Sequence, residues 1–169
     1  MVLPDNMIKC LNDNVEPFKE DNIQPASLDV CLDNVFLVEK HKNKIIDAAN
    51  ETLKYEEIKS DCFLLEPNQF ILAATEEYIK VPENLTVMLA GKSTLARLGL
   101  QIHITAGWVD PGFEGKLTLE IVNNSSNTLE LTAGMLIGQL VFIEMKKKPD
   151  NAYNGKYQKS KSVVGAKNK

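Results

Sequence analysis

The chain has 169 residues, 44% of them hydrophobic, enough for one well-buried domain and short for two. Its formal net charge of −4 provides no general field for nucleic acid. No apolar run approaches the roughly 18 residues of a membrane helix and no secretory leader is visible, so a cytoplasmic protein without nucleic-acid or membrane partners is expected. The acidity is uneven: from Lys146 onward eight lysines face one acid, Asp150, a net +7 that leaves −11 for the rest. Cys10, Cys31 and Cys62 are far apart with no Cys-x-x-Cys pair, a pattern that suits reduced thiols in an intracellular protein.

In chain order, Pro4-Asp5 followed by Met7, Ile8 and Leu11 predicts a short amphipathic helix, broken by Asn12-Asp13-Asn14 and Pro17. Leu28, Val30 and Leu32 alternate with Asp29 and Cys31, which predicts a half-buried strand. Residues 35–38 form another apolar strand. Residues 39–61 are charged and poorly patterned, a surface excursion with one short strand at 52–55. Strands at 62–65 and 70–74 flank a turn at Glu66-Pro67-Asn68-Gln69. A turn at 81–84 leads to an apolar β run over 85–90, ending at Gly91. Beyond the central stretch, a strand at 129–131, a turn at 132–135 and a long strand at 136–145 complete the pattern. Many short strands with turns every eight to twelve residues predict a mainly β sandwich or barrel. The lysine-rich tail lacks apolar periodicity and on its own should be mobile.

Residues 90–123 hold the densest signals, including the only arginine, Arg97, and the only tryptophan, Trp108. One planar, permanently charged fork in a chain that otherwise uses lysine suits a carboxylate or phosphate. Gly91-Lys92-Ser93-Thr94 follows a strand and opens a short helix, a place where free N–H groups meet an anion. It is not a Walker A loop, because Thr86 occupies the position of that motif's first glycine. Ser93 and Arg97 are four apart and share a face, although Ser93 could also serve only as a helix cap. Residues 102–106 and 116–122 read as the two arms of a hairpin across the Asp110-Pro111-Gly112-Phe113 turn. In the second arm Leu117, Leu119 and Ile121 face one way, and Thr118 and Glu120 the other. Glu120 is then a solvated residue or, with Arg97 nearby, a general base. His103 reads as structural. The His-x-Glu and Pro-Cys-x-x-Cys signature of zinc deaminases is missing from the sequence, so no zinc is expected, and magnesium would arrive on substrate phosphates.

Several segments in order resemble the dCTP deaminase family within the dUTPase superfamily. They are Gln24-Pro25-Ala26-Ser27-Leu28-Asp29-Val30, the run from Gly91 to Leu100, Thr105-Ala106-Gly107-Trp108-Val109-Asp110-Pro111-Gly112-Phe113, Leu119-Glu120, and Gly134-Met135-Leu136-Ile137-Gly138-Gln139-Leu140. The resemblance implies a distorted β-barrel over residues 1–145, a homotrimer with active sites shared between subunits, and a tail, 146–169, closing over the nucleotide. It implies deamination of cytosine C4 on dCTP, with Glu120 as the base and Ser93 and Arg97 as its catalytic partners. Lys92 and Thr94 would contact the triphosphate, with Leu95, Ala96 and Leu119 also at the substrate. Asp110 would meet the deoxyribose, Thr118 the base and Gln139 the nucleotide. Tyr153, Lys156 and Gln158 resemble the closing tail segment, except that the family spaces its lysine and glutamine four apart and here they are two apart.

Gly107-Trp108 favours continuation from dUTP to dUMP and pyrophosphate, because deaminase-only members carry His-Arg there. Glycine would admit a second water near the phosphates, with no cation to block it. Release of dUTP, a pure dUTPase, and a nucleotide-binding regulator remain as alternatives. The resemblance also allows dTTP as an inhibitor.

Overall fold

The computed structural model describes residues 1–40, 45–50 and 52–167. Helix α1 (Asp5–Ile8) runs on into a tighter helical segment, Lys9–Asn14, so the Asn-Asp-Asn sequence expected to break the helix is its last turn. The strands follow as β1 (Val15–Glu16), β2 (Ile23–Gln24), β3 (Ser27–Cys31), β4 (Val35–Glu39), β5 (Tyr55–Lys59), β6 (Cys62–Leu65), β7 (Phe70–Lys80) and β8 (Leu85–Gly91). After α2 (Ser93–Arg97) come β9 (Leu100–Gln101), β10 (Trp108–Val109), β11 (Glu114–Asn123), β12 (Leu129–Thr132) and β13 (Leu136–Glu144). The strand expected at 52–55 lies slightly later, as β5; residues 41–44 and 51 of that excursion, and 168–169 of the tail, lie outside the described residues.

Every strand pair is antiparallel. One sheet has the order β5-β4-β7-β11-β9 with β1 also on β7; a second runs β10-β8-β13-β3-β2; β12 and β6 form a separate pair. Leu28, Val30, Val87, Leu89, Leu140 and Phe142 from the second sheet meet Phe36, Ile71, Ala73, Leu117, Leu119 and Ile121 from the first in one core. The mainly β class is as expected, but among the described residues no hydrogen-bonded ring closes, so the barrel is corrected to an open two-sheet packing. Three of the edge strands, β2, β9 and β10, are two residues long and leave too little ladder to join the sheets.

Two further expectations change. Residues 102–106 are not a strand, and β11 pairs with β7 along most of its length instead. The polar groups of that segment find partners outside a ladder: the Gln101 amide donates to His103 O at 3.0 Å and Ile104 N–H to the Glu120 carboxylate at 2.9 Å. β3 is covered on both faces, because Asp29 and Cys31 have partners beneath the surface rather than solvent. Among the described residues no helix is long and apolar enough to cross a membrane.

β11 shows why the alternating pattern matters. Its residues alternate strictly between buried and half-buried, with Leu119 and Ile121 fully enclosed. A register shift against β7 falls between Lys116 and Thr118, where Leu117 N–H bonds the Thr75 hydroxyl at 3.1 Å. Replacing Ile121 by alanine should remove about 2–5 kcal/mol of stability, read as a lower urea midpoint at unchanged slope.

Candidate active site

The outward face of β11 lines a cavity of about 650 Å³ with the 104–110 loop and the tail. Glu120 stands in its wall, half-buried. Its Oε2 accepts the Ile104 N–H at 2.9 Å, and its other oxygen has no hydrogen-bond partner among the described residues. One oxygen is thus held in place while the other is open to the cavity, a geometry suited to taking a proton from water. Thr118 lies two residues earlier on the same face, and its hydroxyl accepts the Val164 N–H at 3.1 Å. Asp110 lines the same space from the turn after β10, with its carboxylate unengaged among the described residues. Lys116, which also lines the cavity, is held by Asp33 at 2.6 Å.

Leu119, expected at the substrate, turns its side chain into the core, so any contact from it runs through the main chain. Trp108 is 59% exposed on the cavity wall. Gly107 sits where a Cβ would come within 2.9 Å of Leu89 O and 3.1 Å of the His103 ring. Tight packing therefore demands glycine here, independently of any role in the second reaction. His103 is structural in this arrangement, packed on Gly107, with Nδ1 buried and unpartnered.

The predicted residues of 92–97, and Gln139, lie apart from the cavity lining. Lys92, not Ser93, occupies the cap position of α2, and no side chain caps that helix. Ser93, Thr94, Ala96 and Arg97 are exposed, the side chains of Ser93, Thr94 and Arg97 make no hydrogen bond or ion pair among the described residues, and Leu95 packs against the core. Lys92 reaches back 2.5 Å to Asp29, which is 2% exposed and also receives the Gln24 amide at 3.2 Å. Asp29 Oδ1 is buried and unpartnered. Next to this pair, Gln139 accepts the Ser27 hydroxyl at 2.9 Å and donates to Gly91 O at 3.2 Å. Asp29, Ser27 and Gln24 lie in the family-like segment 24–30 without a role assigned from the sequence, and the burial of Asp29 and Ser27 emerges only in the fold.

The tail is docked rather than mobile. Tyr153 packs on Phe113 with ring centroids 5.7 Å apart and lines the cavity. Lys156 is exposed and bonds Lys167 O, and both lysine amines lie over the Tyr157 ring. Gln158 has its amide fully engaged by main chain: it accepts from Glu114 N–H at 2.9 Å and donates to Gly112 O at 2.8 Å. Four residues after Lys156 comes Ser160, which lines the cavity and was overlooked because a serine stood where the spacing called for an amide.

Away from the cavity, Cys31, Glu76 and Glu77 bring ligand atoms within 4.8 Å of one another, with the Lys19 amine 2.9 Å from Glu76 and 3.7 Å from Cys31. Burial pushes the Cys31 thiol up to about 11. A thiol reagent at neutral pH should therefore label exposed Cys10 and Cys62 and leave Cys31 until the chain unfolds, as counted by intact mass. Gly107→Ala should cost about 1–3 kcal/mol through the crowding described, seen as a lower thermal midpoint.

Residues 2–145 match the family model for dCTP deaminase-like proteins. The chain is 41% identical over 176 residues to "dCTP deaminase, dUMP-forming" of Persephonella marina, covering 99% of this chain and 97% of the relative. It is 40% identical over 173 residues to the protein of the same description from Aquifex aeolicus, covering 97% and 93%. Its fold is similar to the crystal structure of 2'-deoxycytidine 5'-triphosphate deaminase from Agrobacterium tumefaciens, with a TM-score of 0.68 and 20% identity over 83% of this chain; it spans only 47% of that longer chain. The chain belongs to the dCTP deaminase-like family.

Proposed function

We propose that this protein hydrolyses dCTP to dUTP and ammonia and carries dUTP on to dUMP and pyrophosphate. The observation that carries the reading is the Glu120 carboxylate, anchored by Ile104 N–H at one oxygen and open to the cavity at the other. The relatives described as dUMP-forming support the second step.

In the first step Glu120 takes a proton from water as the oxygen bonds to cytosine C4. That proton passes to N3; the C4 hydroxyl of the adduct then gives its proton, through Glu120, to the amine, the C4–N bond breaks, and ammonia leaves a C4 carbonyl with N3–H. In the second, water attacks the α-phosphorus and pyrophosphate leaves. Asp110 faces the sugar from the cavity wall and is the candidate base for that attack. Magnesium enters as part of the nucleotide substrate and offsets triphosphate charge; the buried, unpartnered Asp29 Oδ1 marks a place where an additional donor would be satisfied. The cytoplasm, with its reduced thiols, is the fitting compartment.

Among the described residues the side chains of Ser93, Thr94 and Arg97 have no partners, and they lie outside the cavity lining. We assign them to the cavity of a neighbouring copy in a homotrimer, where Arg97 holds Glu120 or phosphate and Lys92 exchanges Asp29 for the triphosphate. The tail then closes the nucleotide in through Tyr153 and Lys156, while Gln158 acts as a clamp on the main chain. The place for dTTP as an inhibitor is this same cavity.

Incubation with dCTP and magnesium, followed by anion-exchange separation, should yield dUMP and pyrophosphate directly; accumulation of dUTP would limit the activity to deamination. Glu120→Gln should lower deamination at least about a hundredfold while dCTP still binds, and retained turnover would remove Glu120 as the base. Mixing and co-refolding the inactive Arg97→Ala and Glu120→Gln variants should restore part of the activity, because some mixed sites receive both native residues. No recovery would place both residues in one subunit's site.

A further inference from the structure

The end of the chain holds a contact that no motif announces. Past Tyr157 the backbone runs beside β11: Lys116 N–H donates to Ser160 O at 2.9 Å, and the Ser160 hydroxyl donates to Lys116 O at 3.0 Å. Val163, 8% exposed, packs with Leu37, Leu72 and Ala74 in a small second core. One residue later, Val164 N–H donates to Thr118 Oγ1 at 3.1 Å. Thr118 and Val164 both line the cavity.

A threonine hydroxyl offers one proton and two lone pairs. Val164 occupies one lone pair, and the hydroxyl proton has no acceptor among the described residues. The proton is left for an acceptor in the cavity, such as one on the ligand. A ligand donor at the same place would turn it to its remaining position, where the protein offers nothing. We propose that the strap 160–164 is a substrate-selecting element, which sets Thr118 to donate to an acceptor on the pyrimidine edge.

The inference rests on the dCTP reading above. With Glu120 working at C4, Thr118 lies two residues back on the same strand face, about 7 Å along β11, beside the N3–C2 edge. Cytosine N3 is an acceptor; uracil carries N3–H, a donor. The arrangement favours entry of dCTP over dUTP from solution. Val163 acts at one remove, as the anchor that holds Val164 over the hydroxyl.

The test measures KM and kcat for dCTP and the inhibition constant of dUTP against dCTP deamination. Thr118→Val, isosteric and without a hydroxyl, should raise KM for dCTP about tenfold. It should leave the dUTP constant little changed, so that the preference collapses, and Thr118→Ser should restore it. Val164→Pro removes the N–H that holds the hydroxyl and should shift the preference in the same direction, by less. An unaltered dCTP-to-dUTP preference in Thr118→Val overturns the proposal while leaving the function intact. A wild-type protein that does not deaminate dCTP overturns the function, and this inference with it.

Discussion

The period of two along β11 is the constraint from which the rest of the site follows. Leu117, Leu119 and Ile121 are drawn into the core by burial, and that choice places Lys116, Thr118 and Glu120 on the opposite face. A slip of one residue would bury a carboxylate and an amine and expose three aliphatic side chains, at a cost no local contact offsets. The hydrophobic register thus also aims the candidate base. The register shift against β7 adds to this, because it leaves the Lys116 N–H to pair with Ser160 and so gives the tail its landing place.

Around that strand the chain gathers groups with opposite electrostatic states. Asp33 and Lys116 neutralise each other at 2.6 Å, as do Asp29 and Lys92 at 2.5 Å, so neither lysine presents a free charge. Among the described residues no cation pairs with Glu120 or Asp110. Arg97 is exposed on α2 and unpaired among the described residues. A single copy therefore holds acid groups in the cavity and a free cation outside it. Association of copies would bring these unlike charges together, which gives the proposed assembly an electrostatic reason beyond surface burial.

The tail shows how a segment without apolar periodicity becomes ordered. Its lysines remain at the surface, while Tyr153, Val163 and the amide of Gln158 supply three separate anchors. Each anchor is a single residue, too sparse to form a periodic signal, yet together they fix about ten residues against β11. Gln158 illustrates the ambiguity of side-chain type: a tail glutamine suits a nucleotide contact, but here its donors and acceptor are spent on Gly112, Tyr153 and Glu114.

Periodicity and turn chemistry by themselves determined the mainly β class, most strand positions, and the faces of β11, because these depend on neighbours two residues apart. The order of the motif residues was enough to point to the family and to Glu120. Tertiary structure decided the rest. It bent residues 102–106 out of the expected strand, since their polar groups bond to Gln101 and Glu120 rather than to a ladder. It left the sheets open rather than closed, covered Asp29 on both faces, and separated the α2 residues from the cavity. These outcomes turn on contacts between residues far apart in the chain, such as Lys92 with Asp29 and Val164 with Thr118, whose pairing no local pattern encodes.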